Sequence, residues 1–181
     1  YKGSVIAIGN FDGVHKGHQK VFKKAKQLAK KSKIYFGILT FNPLPVMFFN
    51  NKIKNFKLIS EVQKYKLFKE YGADFVINIK FDKIFSRITA EKFISSIIYE
   101  KVNPKLIAVS NNFKFGNKRK GNINFLKKFG KKYDYKLIEI SPFKYQGKII
   151  SSTRIRKYLQ NGHLDLANTL LSRTWFIDGI V

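Results

Sequence analysis

The chain has no cysteine, which excludes disulfides and thiolate metal sites and makes a cytoplasmic location the expectation. No apolar run approaches the ~20 residues of a membrane-crossing helix, so no membrane partner is expected. The sequence opens at Tyr1 rather than Met, and a short preceding stretch, without a signal peptide, is expected to be missing or removed. Acidic residues are scarce, 11 against 36 Lys and Arg, and the formal net charge is +25. Such an excess ordinarily points to nucleic acid or a membrane surface. Here all but five of the basic residues (Arg87, Arg119, Arg154, Arg156 and Arg173) are lysines. They are scattered over most expected elements, and their abundance together with Asn, Ile and Phe follows A/T-rich codons. A diffuse field favouring anionic substrates is therefore expected, with no specific nucleic-acid partner; a basic nucleic-acid-binding module is the alternative of another class.

What is present suits one globular domain: 181 residues, 44% of them hydrophobic, enough for a real core. Histidine is rare, with three in the chain, yet two of them fall in the stretch Ile8-Gly9-Asn10-Phe11-Asp12-Gly13-Val14-His15-Lys16-Gly17-His18. A strand-like run over residues 4–8 precedes it. Beyond it Val21, Phe22, Ala25, Leu28 and Ala29 recur at helical spacing, so a helix starts near Lys16. The free N–H groups and positive dipole end of that helix suit an anion, and Gly13 and Gly17 permit a close approach of backbone or phosphate. His15 and His18, three apart, point to one side and are able to donate to phosphate oxygens or take a proton near neutral pH. A lone histidine at a helix start is usually a cap or surface residue; the pair in a strand-turn-helix fits phosphoryl or nucleotidyl transfer better. A metal would need a third ligand, for which only Asp12 is at hand, and no ligand set is assigned.

Strands over 33–41, 74–79, 106–109 and 135–140 alternate with helices over 61–71, 90–100 and 125–133, the first opened by a Ser60/Gln63 capping box and the second capped by Thr89. This alternation predicts an α/β fold: a doubly wound, Rossmann-like parallel sheet of about five strands with the ligand at its carboxyl edge. Residues 42–45 are expected as a non-helical loop, followed by the apolar patch Val46-Met47-Phe48-Phe49. The fourth strand runs into a polar, glycine-rich loop over 110–122, which an Asn/Gly hairpin with stacked aromatics would also explain. A second hydroxyl-rich helix start follows in Ile150-Ser151-Ser152-Thr153-Arg154-Ile155-Arg156. N-capping alone would account for the hydroxyls, but two of the five arginines beside them make a second anion cradle. That helix is closed by Gly162, and another spans 164–171.

These motifs together resemble a family. G-N-F-D-G-V-H-K-G-H and I-S-S-T-R-I-R are similar to the signatures of the N-terminal module of bacterial FAD synthetases (bifunctional riboflavin kinase/FMN adenylyltransferases), within the nucleotidyltransferase superfamily. The family's V-G-x-[DN]-F-x-F-G-x-x-R-x-G-[DN] matches at Val109, Asn112, Phe113, Phe115, Gly116, Arg119, Gly121 and Asn122, with Ser110 in place of a glycine and expected to crowd the turn. Its T-F-x-P-H-P segment matches at Thr40, Phe41, Pro43 and Pro45, with Leu44 in place of the histidine.

The resemblance implies FMN and ATP as substrates, Mg²⁺ as cofactor, and FAD and pyrophosphate as products; a related nucleotidyltransferase with another phosphorylated acceptor shares the superfamily motifs. It implies His15, His18 and Arg156 as the catalytic set. Gly9, Asn10, Phe11, Asp12, Gly17, Ser151, Ser152 and Thr153 fall on the ATP side, and Pro43, Phe48, Phe49, Asn112, Phe113 and Arg119 on the FMN side. Residues 1–175 are expected to form the nucleotidyltransferase domain, and 176–181 to begin a riboflavin kinase domain absent from this chain.

Overall fold

The computed structural model describes residues 1–50, 52–53 and 56–178. In chain order the main elements are β1 (Val5–Ile8), α1 (Lys16–Ser32), β2 (Phe36–Asn42), α2 (Pro45–Phe49), α3 (Glu61–Glu70), β3 (Phe75–Lys80), α4 (Lys83–Ser86) and α5 (Ala90–Lys92), which continues as a π-helix over Phe93–Val102. Then come β4 (Leu106–Ser110), α6 (Ile123–Lys132), β5 (Lys136–Ile140), the two-residue strands β6 (Lys144–Tyr145) and β7 (Lys148–Ile149), α7 (Ser152–Gln160) and α8 (Leu164–Leu171). The first five strands form one sheet in the order β3-β2-β1-β4-β5, every pairing parallel. This is the doubly wound α/β arrangement expected from the alternation, with the strand order reversing between β1 and β4.

Side-chain alternation along β1 builds two cores. Val5 and Ala7 point into one with Val21, Phe22, Ala25 and Ala29 of α1 and Phe68 of α3. Ile6 and Ile8 point into the other with Phe93, Ile94, Ile98 and Val102 of the π-helix and Leu126 and Phe129 of α6. Burial on both faces explains why the central strands read as continuous apolar runs. A third, smaller core joins Ile150, Ile155, Ala167, Leu170 and Leu171 to Leu58, which seats α7 and α8 beside the carboxyl edge of the sheet.

Several boundaries differ from expectation for identifiable reasons. The 33–41 strand starts only at Phe36, because Lys33 takes a left-handed conformation that closes α1 and the Ile34 N–H still donates to Ala29. The loop expected over 42–45 is shorter, since Pro45 occupies the first turn of α2, where its missing N–H is harmless. The helix expected from 125 starts at Ile123, because Asn122 caps it by accepting from the Phe125 N–H at 3.0 Å. The 90–100 helix widens into a π-helix, in which Phe93, Ile98 and Val102, five and four residues apart, all face the sheet. Helix α4, capped by Asp82, and the β6–β7 hairpin were not expected. Of the segment expected to begin a further domain, Phe176–Asp178 takes no strand pairing and residues 179–181 lie outside the described residues. No helix of the described residues is long and apolar enough to cross a membrane.

Candidate active site

The turn after β1, the loop after β4 and the start of α7 meet at the switch point of the sheet around a cleft of about 790 Å³. Gly9, Asn10, Phe11, Asp12, His15, Gly17, His18, Ser151, Ser152, Thr153 and Arg156 all line it, so the two sequence motifs, some 140 residues apart, share one space. The Ser152 hydroxyl joins them directly by donating to the Asp12 carbonyl at 2.8 Å.

The first turn is held in an unusual backbone. Phe11 and Val14 adopt φ of 51° and 41°, and Gly13 lies between them at 80°. A left-handed β-branched residue is a rare outlier, and such strain, about 1–3 kcal/mol per residue, concentrates at functional sites. Thr40, fully buried on β2, donates to the Asn10 carbonyl at 3.2 Å and fixes the near side of the turn.

Helix α1 then begins without a cap. Its N-cap residue His15 makes no side-chain cap bond and its first turn carries no acidic residue. By contrast α3, α4, α5, α6 and α7 are each closed by Ser60, Asp82, Thr89, Asn122 and Ser151. The unsatisfied N–H groups of α1 therefore remain open where Gly17 and His18 line the cleft. The His15 and His18 rings stack with centroids 3.6 Å apart, and Phe11 abuts His18 edge-on at 5.2 Å. Nδ1 of both rings is enclosed and has no hydrogen-bond partner in the protein.

Burial disfavours the charged imidazoles. It pushes His15 down to about 4, with a small contribution from the nearby Arg173 and Arg156 charges, and carries His18 well below its ordinary value, helped by His15. The expectation that these histidines take a proton near neutral pH is thus corrected: at pH 7 both are neutral, and they offer N–H donors rather than positive charge.

Arg156 supplies that charge, but it is not a free cation. Its Nη2 donates to Asp12 in a close ion pair, its Nε donates to the Phe56 carbonyl at 2.8 Å, and its guanidinium lies 3.6 Å from the centre of the Phe56 ring. Asp12 in turn accepts from the Leu58 N–H at 2.9 Å. Burial raises the Asp12 carboxyl, against the pull of Arg156. Nη1 of Arg156 has no partner among the described residues, which leaves N–H donors for an anion. Of the three hydroxyls, Ser151 caps α7 and Ser152 is engaged with Asp12, so Thr153, exposed at the rim, is the uncommitted one. Arg154 points elsewhere, donating to the Tyr158 hydroxyl and to the Tyr145 and Lys148 carbonyls.

The opposite wall is aromatic. Phe41, Phe49, Phe81, Phe85 and Phe93 line it; Phe81 lies 5.6 Å from Phe85 and 5.8 Å from Phe49. Among the residues expected on the acceptor side, Phe49, Asn112, Phe113 and Arg119 line the cleft. Pro43 and Phe48 do not; Phe48 stands behind the wall, 5.4 Å from Phe81. Phe81 and Phe85 are not singled out by the sequence, since Phe81 precedes helix α4 and Phe85 lies in it with no shared helical spacing. Leu44 is buried in the lining, an apolar position consistent with its side chain. Ser110 is the last residue of β4 and lines the cleft. Among the described residues no group of three or more His, Cys, Asp or Glu could hold a metal ion, and the one carboxylate in the lining is committed to Arg156 and Leu58.

A five-stranded parallel sheet with two glycine- or hydroxyl-rich helix starts at its switch-point cleft has the architecture of a Rossmann-like nucleotidyltransferase fold. The family model for FAD synthetase matches residues 1–154, and the chain belongs to the FAD synthetase family. It is 44% identical over 98% of its length to a bifunctional riboflavin kinase/FMN adenylyltransferase of Buchnera aphidicola subsp. Schizaphis graminum, and 33% identical over 99% to that of Escherichia coli K12. The chain spans 57% and 58% of those two relatives' lengths. A Listeria monocytogenes FAD synthetase is 30% identical, with 99% of this chain and 73% of the relative covered. Among solved structures, one described as a macrolide-efflux protein from Streptococcus pneumoniae superposes with a TM-score of 0.84 at 27% identity, covering 95% of this chain and 56% of the other.

Proposed function

We propose that this domain transfers the adenylyl group of ATP to the phosphate of FMN, giving FAD and pyrophosphate in the cytoplasm. The observation that carries the reading is the division of one cleft into an anion-binding floor and an aromatic wall, as a substrate pair with phosphates and a flat ring system requires. An oxygen of the FMN phosphate attacks the α-phosphorus of ATP in line. The bond from that phosphorus to the bridging oxygen breaks, and pyrophosphate departs with the electron pair. Little covalent work falls to the protein, so positioning and charge stabilisation supply the acceleration.

In this reading the open N-terminus of α1 and the neutral His15 and His18 donate to the phosphates, with Gly9, Asn10, Phe11, Asp12 and Gly17 shaping the nucleotide side. The remaining N–H groups of Arg156, with the Thr153 hydroxyl at the start of α7, stabilise the charge that builds on the leaving pyrophosphate, while Ser152 holds the Asp12 turn against them. Ser151 supports them by capping. Phe49, with Phe81 and Phe85, covers the isoalloxazine ring, Asn112, Phe113 and Arg119 close the loop side, and Pro43 and Phe48 buttress the wall from behind. The donor set does not fit a protein-held Mg²⁺; a Mg²⁺ accompanying ATP is assigned to the substrate's phosphate oxygens, and no step runs through a protein ligand. Residues 1–175 would be the transferase domain of a bifunctional arrangement whose kinase part starts at 176. Incubating the purified chain with ATP, FMN and Mg²⁺ and separating the flavins tests the reading. FAD is the expected product, and its absence, or adenylylation of a different phosphorylated acceptor in its place, overturns the assignment.

A further inference from the structure

We propose that Arg173 and Gln19 are positioning residues: a latch from the C-terminal helical unit that sets the peptide planes of the phosphate-facing turn from the side away from the cleft. The inference rests on the adenylyl-transfer reading for its kinetic consequence, though not for its geometry. Residues 171–173 lie beyond the stretch matched by the family model, and neither Arg173 nor Gln19 lines the cleft.

Three of the four residues 11–14 hold a left-handed backbone, which persists only where the surroundings over-determine it. Gln19, almost fully buried on the first turns of α1, donates from Nε2 to the Val14 carbonyl and to the Leu171 carbonyl, both at 2.9 Å. Arg173 donates from Nη2 to the Gly13 carbonyl at 2.7 Å and from Nη1 to the Leu171 carbonyl at 3.2 Å. The Ser172 hydroxyl, within reach of both the Leu171 carbonyl at 2.7 Å and Gln19 Oε1 at 2.9 Å, adds to the two Nε2 bonds that orient the amide. The turn also packs closely here: a Cβ at Gly13 would come within 2.6 Å of Leu58, which precedes α3, and 3.5 Å of Leu171 of the C-terminal unit.

A planar trans peptide points its N–H opposite to its C=O. Holding the Val14 carbonyl from behind therefore aims the His15 N–H away from the latch, and with it the entry of the chain into α1. The orientation of the two stacked imidazoles follows from that entry. Arg173 adds a second effect. No carboxylate forms a direct ion pair with it among the described residues, and Glu70 acts on it only at longer range, so part of its charge is left to act on an anion in the cleft.

With three histidines in the chain, imidazole NMR signals of the ligand-free protein report the turn directly, and His163 serves as a control outside it. Arg173→Ala is expected to shift the His15 and His18 signals, weaken ATP binding about tenfold and lower kcat/KM, in line with losing hydrogen bonds from a charged donor. Arg173→Lys, which keeps the charge and loses the fork, should recover part of the ATP affinity. Ser172→Gly removes only the hydroxyl at a left-handed position that glycine accepts, and should move the same observables in the same direction, about threefold in affinity. It also decides the matter if Arg173→Ala fails to fold. Parental imidazole signals and ATP affinity in folded Arg173→Ala or in Ser172→Gly would reduce the latch to packing. A parent chain that forms no FAD would overturn the proposed reaction, while the NMR and ATP-binding measurements would still decide the latch.

Discussion

The two sides of the cleft are built by opposite means. On the floor a polar framework is tied together, Asp12 to Arg156 and Leu58, Ser152 to Asp12, Thr40 to Asn10, and it holds in place the open donors at the start of α1, on the two histidines and on Thr153. On the wall Phe41, Phe49, Phe81 and Phe85 meet only at ring edges and tilted faces, and Phe49 is 70% exposed. The floor is thus fixed before any ligand arrives, which suits groups that must match charge developing at one place. The wall offers apolar area, which suits holding a flat ring and is more tolerant of its exact pose. The difference predicts that changes on the floor appear in turnover and changes on the wall appear in acceptor affinity.

The largest effect is expected from His18→Ala, which removes one donor from the floor without breaking an ion pair. FAD formation should slow by about 100-fold; the ring also packs against His15 and Phe11, so the unfolding midpoint should fall and turnover is compared per folded protein. Arg156→Ala should slow turnover as much, but it also strands the buried Asp12 carboxylate. Breaking a buried pair in this way destabilises by about 3–5 kcal/mol, so an unchanged midpoint is not expected for this variant. Arg156→Lys keeps the charge, loses the planar fork and should remain impaired. Parental turnover in folded His18→Ala would remove the imidazole from the chemistry and erase the contrast between floor and wall.

A smaller effect belongs to the wall. Phe49→Ala removes an exposed ring, so stability should hardly change. The KM for FMN should rise about tenfold, as expected for losing the burial of one aromatic face against a ligand, with kcat and the KM for ATP within about twofold of the parent. Steady-state kinetics with each substrate varied in turn measures all three. A fall in kcat at unchanged FMN affinity would mean that the wall takes part in the chemical step.

The same contrast governed what could be read from the sequence. The floor was legible because few roles fit two histidines and two glycines at a helix start, or three hydroxyls beside arginines. The strand-helix alternation likewise gave the sheet, since buried parallel strands leave continuous apolar runs such as Phe36–Asn42. The wall was half legible: Phe49 was marked by its exposed apolar neighbours, whereas Phe81 and Phe85 resemble core residues until the fold turns them toward the cleft. The Arg156–Asp12, Gln19–Leu171 and Arg173–Gly13 contacts were not legible at all. Each joins residues more than 140 positions apart, and only the seating of α7 and α8 against the first turn brings them together.

The smallest effect concerns acid, and it separates a neutral floor from a charged one. An unfolded histidine with its ordinary value near 6.5 is about nine-tenths protonated at pH 5.5, whereas His15, held at about 4 by burial, is almost entirely neutral there. The unfolded state binds more protons over this range, so stability rises with pH: the contribution of neutral His15 is fully present above 6.5 and is lost as pH falls toward 4. Between pH 7 and 5.5 that loss amounts to about 1 kcal/mol for His15, and His18, lowered for the same reason, acts in the same direction. Urea unfolding at the two pH values should show it, and His15→Gln, which cannot titrate, should flatten the dependence. The activity profile supplies the second arm. If the floor works through neutral donors, kcat should show no imidazole step between pH 6 and 8, and its acid limb should fall well below 6. A step centred near 6.5 that disappears in His15→Gln would mean that the ring is protonated in the working enzyme. The floor would then recognise phosphate by charge, as a scattered field of lysines does, rather than by fixed donors.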